Sequence, residues 1–304
     1  MKFTVEYPSD VPTASREFRD PAVMRAIATH AEGLGFDAIA LADHPAPSAK
    51  WRRSGGHDTF DPAVALAFFA AATTTIRLMT HLYVLPFRNP YLAAKTLTSL
   101  DVVSGGRLIA GVGAGYLRSE FAALGVEFDK RAELFDEYLV ALRRIWTDPA
   151  EPVTGSTFAA TGELNLDAPT QKPHPPIWIG GNNVATMRRV VEHGSGWSPV
   201  VATAAVASSV RTATIETADD LSRAVEKMRE LLTAAGRVPD SVEIQVAVPS
   251  VDFNDARAVE ALDEFVAGME RAGATRILAH VDATSASAAE KYLTRFGEHF
   301  GVGG

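Results

Sequence analysis

An α/β fold of the (β/α)8 type, a TIM barrel with insertion segments, is what this sequence predicts, on three observations. The 304 residues exceed the roughly 250 of a typical closed barrel by enough for insertions but not for a second independent domain, so residues 1–304 are expected to form one domain. Short apolar or β-branched runs alternate with longer helical patterns, as in a parallel sheet covered by helices. Hydrophobic residues at 47% and charged residues at 22% are ordinary for a globular chain.

The elements follow in order. Residues 3–7 read as the first strand. Pro21–Leu34 carries Val23, Ile27, Ala31 and Leu34 at helical spacing and stops at Gly35, as at a C-terminal cap. Residues 37–42 form a second buried strand that ends in Asp43-His44. Pro62–Ala72 is helical, residues 77–85 are extended, and Pro90–Val103 is helical. The turn Ser104-Gly105-Gly106 then leads into a strand over residues 108–112. An amphipathic helix over about residues 130–146 precedes the first insertion, about 148–176, in which residues 157–167 look like a small hairpin. Residues 177–179, 184–193 and 197–200 resume the alternation before a second irregular segment, about 202–216. A helix ending at Gly236 and the stretches 242–248, 259–272, 276–281 and 286–300 complete about eight strands with their helices.

Composition excludes several functions. With no cysteine there is no disulfide, thiolate nucleophile or Cys-ligated metal. A net charge of -8 argues against a nucleic-acid or anionic-membrane surface, which needs a cationic face. No apolar run approaches the roughly 20 residues of a membrane span, and the chain opens into a strand rather than a signal sequence, so a cytoplasmic location is expected.

A TIM barrel carries its site at the carboxyl ends of its strands. That rule selects Asp43-His44, Thr80-His81, residues 111–116, Gly180 to Asn183, and Trp197 with its neighbours. His44 is a candidate proton-transfer group, and Asp43 would either orient it or hold a backbone amide. Gly180-Gly181-Asn182-Asn183 joins a strand to a helix, where free amides and the helix dipole suit a phosphate. A tight turn with Asn183 as N-cap explains the same residues equally well. Gly111-Val112-Gly113-Ala114-Gly115 lacks the spacing and the later acidic residue of a dinucleotide fingerprint, and reads as backbone against which a planar ligand lies, or as a glycine-rich barrel corner. His44, His57, Asp58 and Asp61 show no metal-ligand spacing, and no metal is expected.

Several segments together resemble one family. Leu85-Pro86-Phe87-Arg88-Asn89-Pro90, Ser99-Leu100-Asp101 through Ser104-Gly105-Gly106-Arg107-Leu108, and Gly111 to Gly115 occur in its order. Pro173-His174-Pro175-Pro176-Ile177-Trp178-Ile179-Gly180-Gly181 and Gly194-Ser195-Gly196-Trp197 continue it. This chain is similar, over about residues 35–200, to the bacterial-luciferase-like superfamily, and within it to the deazaflavin-dependent oxidoreductases.

That resemblance implies coenzyme F420 as cofactor, with FMN the alternative, and a ring standing at the carboxyl end of the sheet. It puts Asp43 and His44 against the ring, a non-proline cis peptide at His81-Leu82 behind it, and the cofactor phosphate at Gly180 and Gly181. Thr80, His81, Leu82, Gly113, Ala114, Gly115, Asn182 and Asn183 complete the expected cofactor contacts. Sugar-phosphate dehydrogenases of the family carry a Glu where this chain has Tyr116, so reduction of another small organic acceptor is expected, with Tyr116 donating a hydrogen bond or walling a substrate pocket shared with Trp197. Similar proteins are commonly dimers. The competing readings are an FMN-dependent two-component monooxygenase with a separate reductase, a flavin-binding protein without catalysis closed by Tyr116 and Phe87, and a metal-dependent barrel hydrolase.

Overall fold

A computed structural model describes residues 1–9, 11–162 and 164–304. Its strands are β1 (Lys2–Glu6), β2 (Ala38–Leu41), β3 (Arg77–Thr80), β4 (Tyr83–Val84), β5 (Leu108–Gly113), β6 (Ile177–Gly180), β7 (Gly196–Ser198), β8 (Glu243–Val248) and β9 (Arg276–Ala279). They pair in parallel in the order β3-β2-β1-β9-β8-β7-β6-β5-β4, and a further β3–β5 pairing closes the barrel. The extended stretch expected over residues 77–85 is two strands, β3 and β4, and the His81–Leu82 peptide between them is cis. Both strands pair with β5 and so share one stave of an eight-stave barrel.

Helix ends fall where the local chemistry puts them. Asp20, Asp61 and Asn89 each accept a backbone N–H of the first turn, and proline opens all three helices that follow them. Gly35 closes Pro21–Leu34 in the left-handed region at φ 88°, which a β-carbon would oppose.

The insertions differ from expectation. Residue 163 of the hairpin expected over 157–167 lies outside the described residues, and among the described ones no strand ladder forms there. Among the described residues, the antiparallel bridge in this segment joins Thr154 to Ala159, around a Gly155 N–H to Phe158 carbonyl bond of 2.8 Å. Side chains of the barrel's helices satisfy this backbone instead of a partner strand: Ser156 is held by Glu137, Val153 by the Tyr91 hydroxyl, and Gln171 by Asp101. Asp101 and Arg107 thus belong to the amino-terminal face, where Arg107 also ties the end of helix Pro62–Ala72 to the start of β5. That part of the motif stabilises the barrel and contributes nothing to the opposite face. The segment at 202–216 contains a short helix, Ala204–Ser209, and Val201 bridges Ile215 in parallel.

Strand alternation sorts the side chains. Val5, Ile39, Leu78, Val112, Ile179, Trp197, Val246 and Ile277 face the helices and build the large core. Ala38, Ala40, Met79, Ile109, Trp178 and Leu278 pack in a separate cluster, inside the barrel. Gly196 is required there, because a β-carbon on it would lie 2.1 Å from the Trp178 ring. Fully buried Arg276 stands 5.3 Å from that ring and pairs with Asp37 and Glu243, closing the lumen from below.

Candidate active site

At the upper end of the lumen the residues turn polar. Glu6, 1% exposed at the end of β1, bonds His81 Nδ1 at 3.1 Å. Ser198, at the end of β7, has a buried hydroxyl without a hydrogen-bond partner among the described residues.

Above them lies His44. Its Nδ1 is 3.1 Å from Oε2 of Glu120, whose Oε1 accepts the Ala46 amide at 3.2 Å. The Tyr116 hydroxyl lies 3.4 Å from His44 Nε2. Glu120 is 2% exposed and sits on helix Arg118–Ala123, one turn beyond Tyr116. A carboxylate oxygen at Nδ1 accepts the hydrogen carried there, which leaves Nε2 as a lone pair beside the Tyr116 hydroxyl. Burial first, then the charge of Glu120, pushes the Tyr116 phenol up to about 12, so it is a donor at neutral pH.

A short flap covers this imidazole. Ser48 caps helix Ala49–Arg53, whose Trp51 ring lies 4.6 Å from the ring of His44. His57 follows at 5.0 Å from His44 and 5.4 Å from Trp51. Gly56 allows the return of the chain, because a β-carbon there would meet the Trp51 ring at 2.3 Å. Burial, then the nearby His44 and His280, pushes His57 down to about 4, and it is neutral at physiological pH.

Asp43 takes the second of the roles expected of it: Oδ2 accepts the Val84 amide at 2.9 Å, and Arg88 grips both oxygens. Glu120, not Asp43, meets the ring of His44. Thr80 donates to the Gly111 carbonyl at 2.7 Å and serves the sheet.

The Leu82 side chain fills the space that glycines leave. A β-carbon on Gly180 would lie 2.0 Å from Leu82 Cδ1, and one on Gly113 3.3 Å from the same atom. The room beside these glycines is therefore occupied by Leu82, and a planar ligand would meet Leu82 rather than bare glycine backbone. Gly115, at φ 76°, is confined by Val84 and Phe121, and Ala114 beside it is half-buried. Phe87 packs edge-on against Phe121, with ring centroids 4.8 Å apart.

At the turn after β6, Gly181 donates to the Ser198 carbonyl at 3.2 Å and Asn182 to the Thr212 hydroxyl at 2.7 Å. The Asn182 side chain binds Val200 and Ala213 backbone, and Asn183 accepts the Ala213 amide. Both asparagines thus fasten the 202–216 segment. Asn183 stands at the N-cap of helix Val184–His193 without capping it by its side chain, which leaves the first-turn amides without a side-chain cap among the described residues. Trp197, expected in the substrate pocket, is fully buried between sheet and helices, its indole N–H on the Gly181 carbonyl at 2.8 Å. Gly196 and Ser198 face the lumen, and the residue between them cannot.

Sequence reasoning left Glu120, Arg88, Trp51, Glu6 and Ser198 without a role and weighed His57 only as a metal ligand. Only Glu120 carried a local signal, its position four residues after Tyr116. Among the described residues no helix is long and apolar enough to cross a membrane.

A profile of the family described as luciferase-like monooxygenase matches residues 1–300. An F420-dependent glucose-6-phosphate dehydrogenase of Gordonia bronchialis is 30% identical over 192 residues, 60% of this chain and 54% of that protein. An FMNH(2)-dependent dimethylsulfone monooxygenase of Pseudomonas putida is 29% identical over 177 residues, 57% of this chain and 47% of that protein. The matches thus span about half the length of these curated relatives. Monooxygenase RslO1 of Streptomyces bottropensis superposes with a TM-score of 0.77 over 98% of both chains at 23% identity, a likeness of fold.

Proposed function

The chain belongs to the luciferase-like monooxygenase family, and from that premise we propose that it is an oxidoreductase moving hydride between coenzyme F420 and a small organic substrate. The observation that carries this reading is His44, held through Nδ1 by a buried carboxylate with Nε2 beside the Tyr116 hydroxyl. Hydride transfer to or from a carbon–oxygen bond leaves one proton to balance, and an imidazole fixed in one tautomer can take or give it. Relatives named as F420-dependent support this cofactor, and the FMNH(2)-dependent relative keeps FMN as the second reading.

The residues fit a ring-and-phosphate cofactor. Leu82 supplies a flat apolar backing at the strand ends, and the uncapped first turn of helix Val184–His193 supplies amides for a phosphate. The deazaflavin, when bound, supplies a carbon that carries hydride. The chain's own residues do the rest. His44 Nε2 exchanges the proton, Glu120 sets its tautomer, Tyr116 donates to a substrate oxygen, and Trp51 with His57 keeps water from the imidazole. Asp43 with Arg88 and the Val84 amide fixes the strand ends on which the mouth is built.

We place a homodimer interface on the helix Pro62–Ala72. Its sequence has no polar side chain, yet Val64 is 70% exposed, beside Leu92 at 67% on the neighbouring helix Pro90–Val103. An outer helix apolar on every side is expected to be covered. Leu134, Tyr138 and Leu142 of Arg131–Thr147 are instead buried in the chain's own core.

Titration of the purified protein with F420 and with FMN, followed by quenching of its four tryptophans, tests the central reading. Saturation by F420 alone supports it. Preference for FMN moves the chain to a two-component monooxygenase with a partner reductase, and failure with both refutes a flavin-type cofactor.

A further inference from the structure

Three arginines from separate elements converge on one ring at the rim of the mouth. The guanidinium carbons of Arg118, Arg131 and Arg211 lie 4.2, 4.1 and 5.2 Å from the centroid of Phe128. Arg118 and Arg131 open the helices Arg118–Ala123 and Arg131–Thr147, while Arg211 stands in the segment after β7. Among the described residues, the carboxylate ion-paired to them is Asp129, on Arg118 at 3.0 Å, and its single charge also faces Arg131 and Arg211, one anion among three cations. The neighbouring Lys130 is matched by Glu127. Arg131 and Arg211 spend their hydrogen bonds on carbonyls, those of Phe128 at 3.1 Å and Tyr116 at 3.3 Å, which leave their charges in place.

Such a gathering of like charge on a chain of net charge -8 opposes folding unless something is gained from it. Burial, then the charge of Arg211, holds Arg131 below the usual arginine range. Arg211 is also the non-glycine residue that stands at positive φ, 59°, among the described residues. Its position is nonetheless fixed: Thr212 and Ala213 on its far side are fastened to Asn182 and Asn183. Guanidinium planes that are held in place suit the oxygens of phosphate or carboxylate.

We propose that Arg118, Arg131 and Arg211 bind the anionic group, phosphate or carboxylate, of a ligand whose reactive part lies at His44. Tyr116 connects the two places, its carbonyl on Arg211 and its hydroxyl 3.4 Å from His44. The reactive end of this ligand rests on the functional reading above; the anion site does not. The anion belongs either to the tail of the cofactor or to an acidic substrate, and one set of titrations separates them.

Inorganic phosphate is titrated by calorimetry in low-chloride buffer into the cofactor-free protein, the protein saturated with F420 or FMN, and the variants Arg131→Gln, Arg211→Gln and Arg131→Lys. The expected result is phosphate binding to the free protein, weakened about tenfold or more by each Gln variant and less by Arg131→Lys, as for a charge-assisted pair. Competition between phosphate and cofactor assigns the anion to the cofactor tail, and undiminished phosphate binding to the saturated protein assigns it to the substrate. Phosphate binding that is absent, or equal in all variants at unchanged melting temperature, overturns the proposal. Since neither free-protein arm needs a cofactor, a chain that binds phosphate through these arginines but neither F420 nor FMN refutes the functional reading and keeps this one.

Discussion

Glu120→Gln separates the two carboxylates near His44 most directly. In the native site the Glu120 oxygens are 3.1 Å from His44 Nδ1 and 3.2 Å from the Ala46 nitrogen. Glutamine can keep its oxygen on the Ala46 amide, but its other terminal atom becomes a donor. The hydrogen on Nδ1 then loses its acceptor, and the tautomer with hydrogen on Nε2 is favoured. Exchanging a charged acceptor for a neutral group removes about 1–2 kcal/mol, so the tautomer ratio should move by about five- to thirtyfold, since 1.4 kcal/mol is a factor of ten. Long-range nitrogen–proton NMR of the imidazole reads the tautomer without any substrate. Once a substrate is found, kcat should fall by no more than the loss of the productive tautomer, about five- to thirtyfold. Asp43→Asn is the contrast. It weakens the grip on Arg88 and Val84 and should lower stability by about 3 kcal/mol, with the tautomer of His44 unchanged. If Asp43→Asn shifts the tautomer and Glu120→Gln does not, the orientation argument is wrong.

Other perturbations read the rest of the site. Gly111→Ala sets a β-carbon 2.0 Å from the Thr80 carbonyl oxygen, which the closing β3–β5 pair cannot yield, and should unfold at markedly lower urea. Gly180→Ala clashes only with the end of Leu82; it should cost about 1–3 kcal/mol, with Leu82→Ala restoring part of that loss. His57 has its folded-state pKa lowered to about 4, so the unfolded chain takes up its proton first as pH falls. Its share of stability is full above pH about 6.5 and lost towards pH 4, at most roughly 3 kcal/mol from this one group. His57→Gln should flatten that part of the acid-unfolding curve, and an unchanged curve would count against a buried neutral imidazole. Val64→Asp should yield monomers in sedimentation, whereas a wild type that is monomeric at micromolar concentration removes the interface proposed on helix Pro62–Ala72.

The sequence by itself determined the barrel and the face that matters. Its alternation of strand and helix patterns is local information, and the caps at Asp20, Asp61 and Asn89 with the stop at Gly35 act within one turn of chain. Placing His44 and Tyr116 at the carboxyl ends of strands needed no more than that alternation. Which side chains meet across the mouth was decided by closure. His44 finds Glu120 across 76 residues, and Asp43 finds Arg88 across 45, partners that no periodicity reports. The glycines at 113 and 180 were legible as space but not as space already taken by Leu82, because that depends on how the staves close against one another. Trp197 was misplaced by treating position along the strand as enough. An inward or outward direction alternates at each residue, and the register against β6 and β8 fixes it only once the barrel is closed.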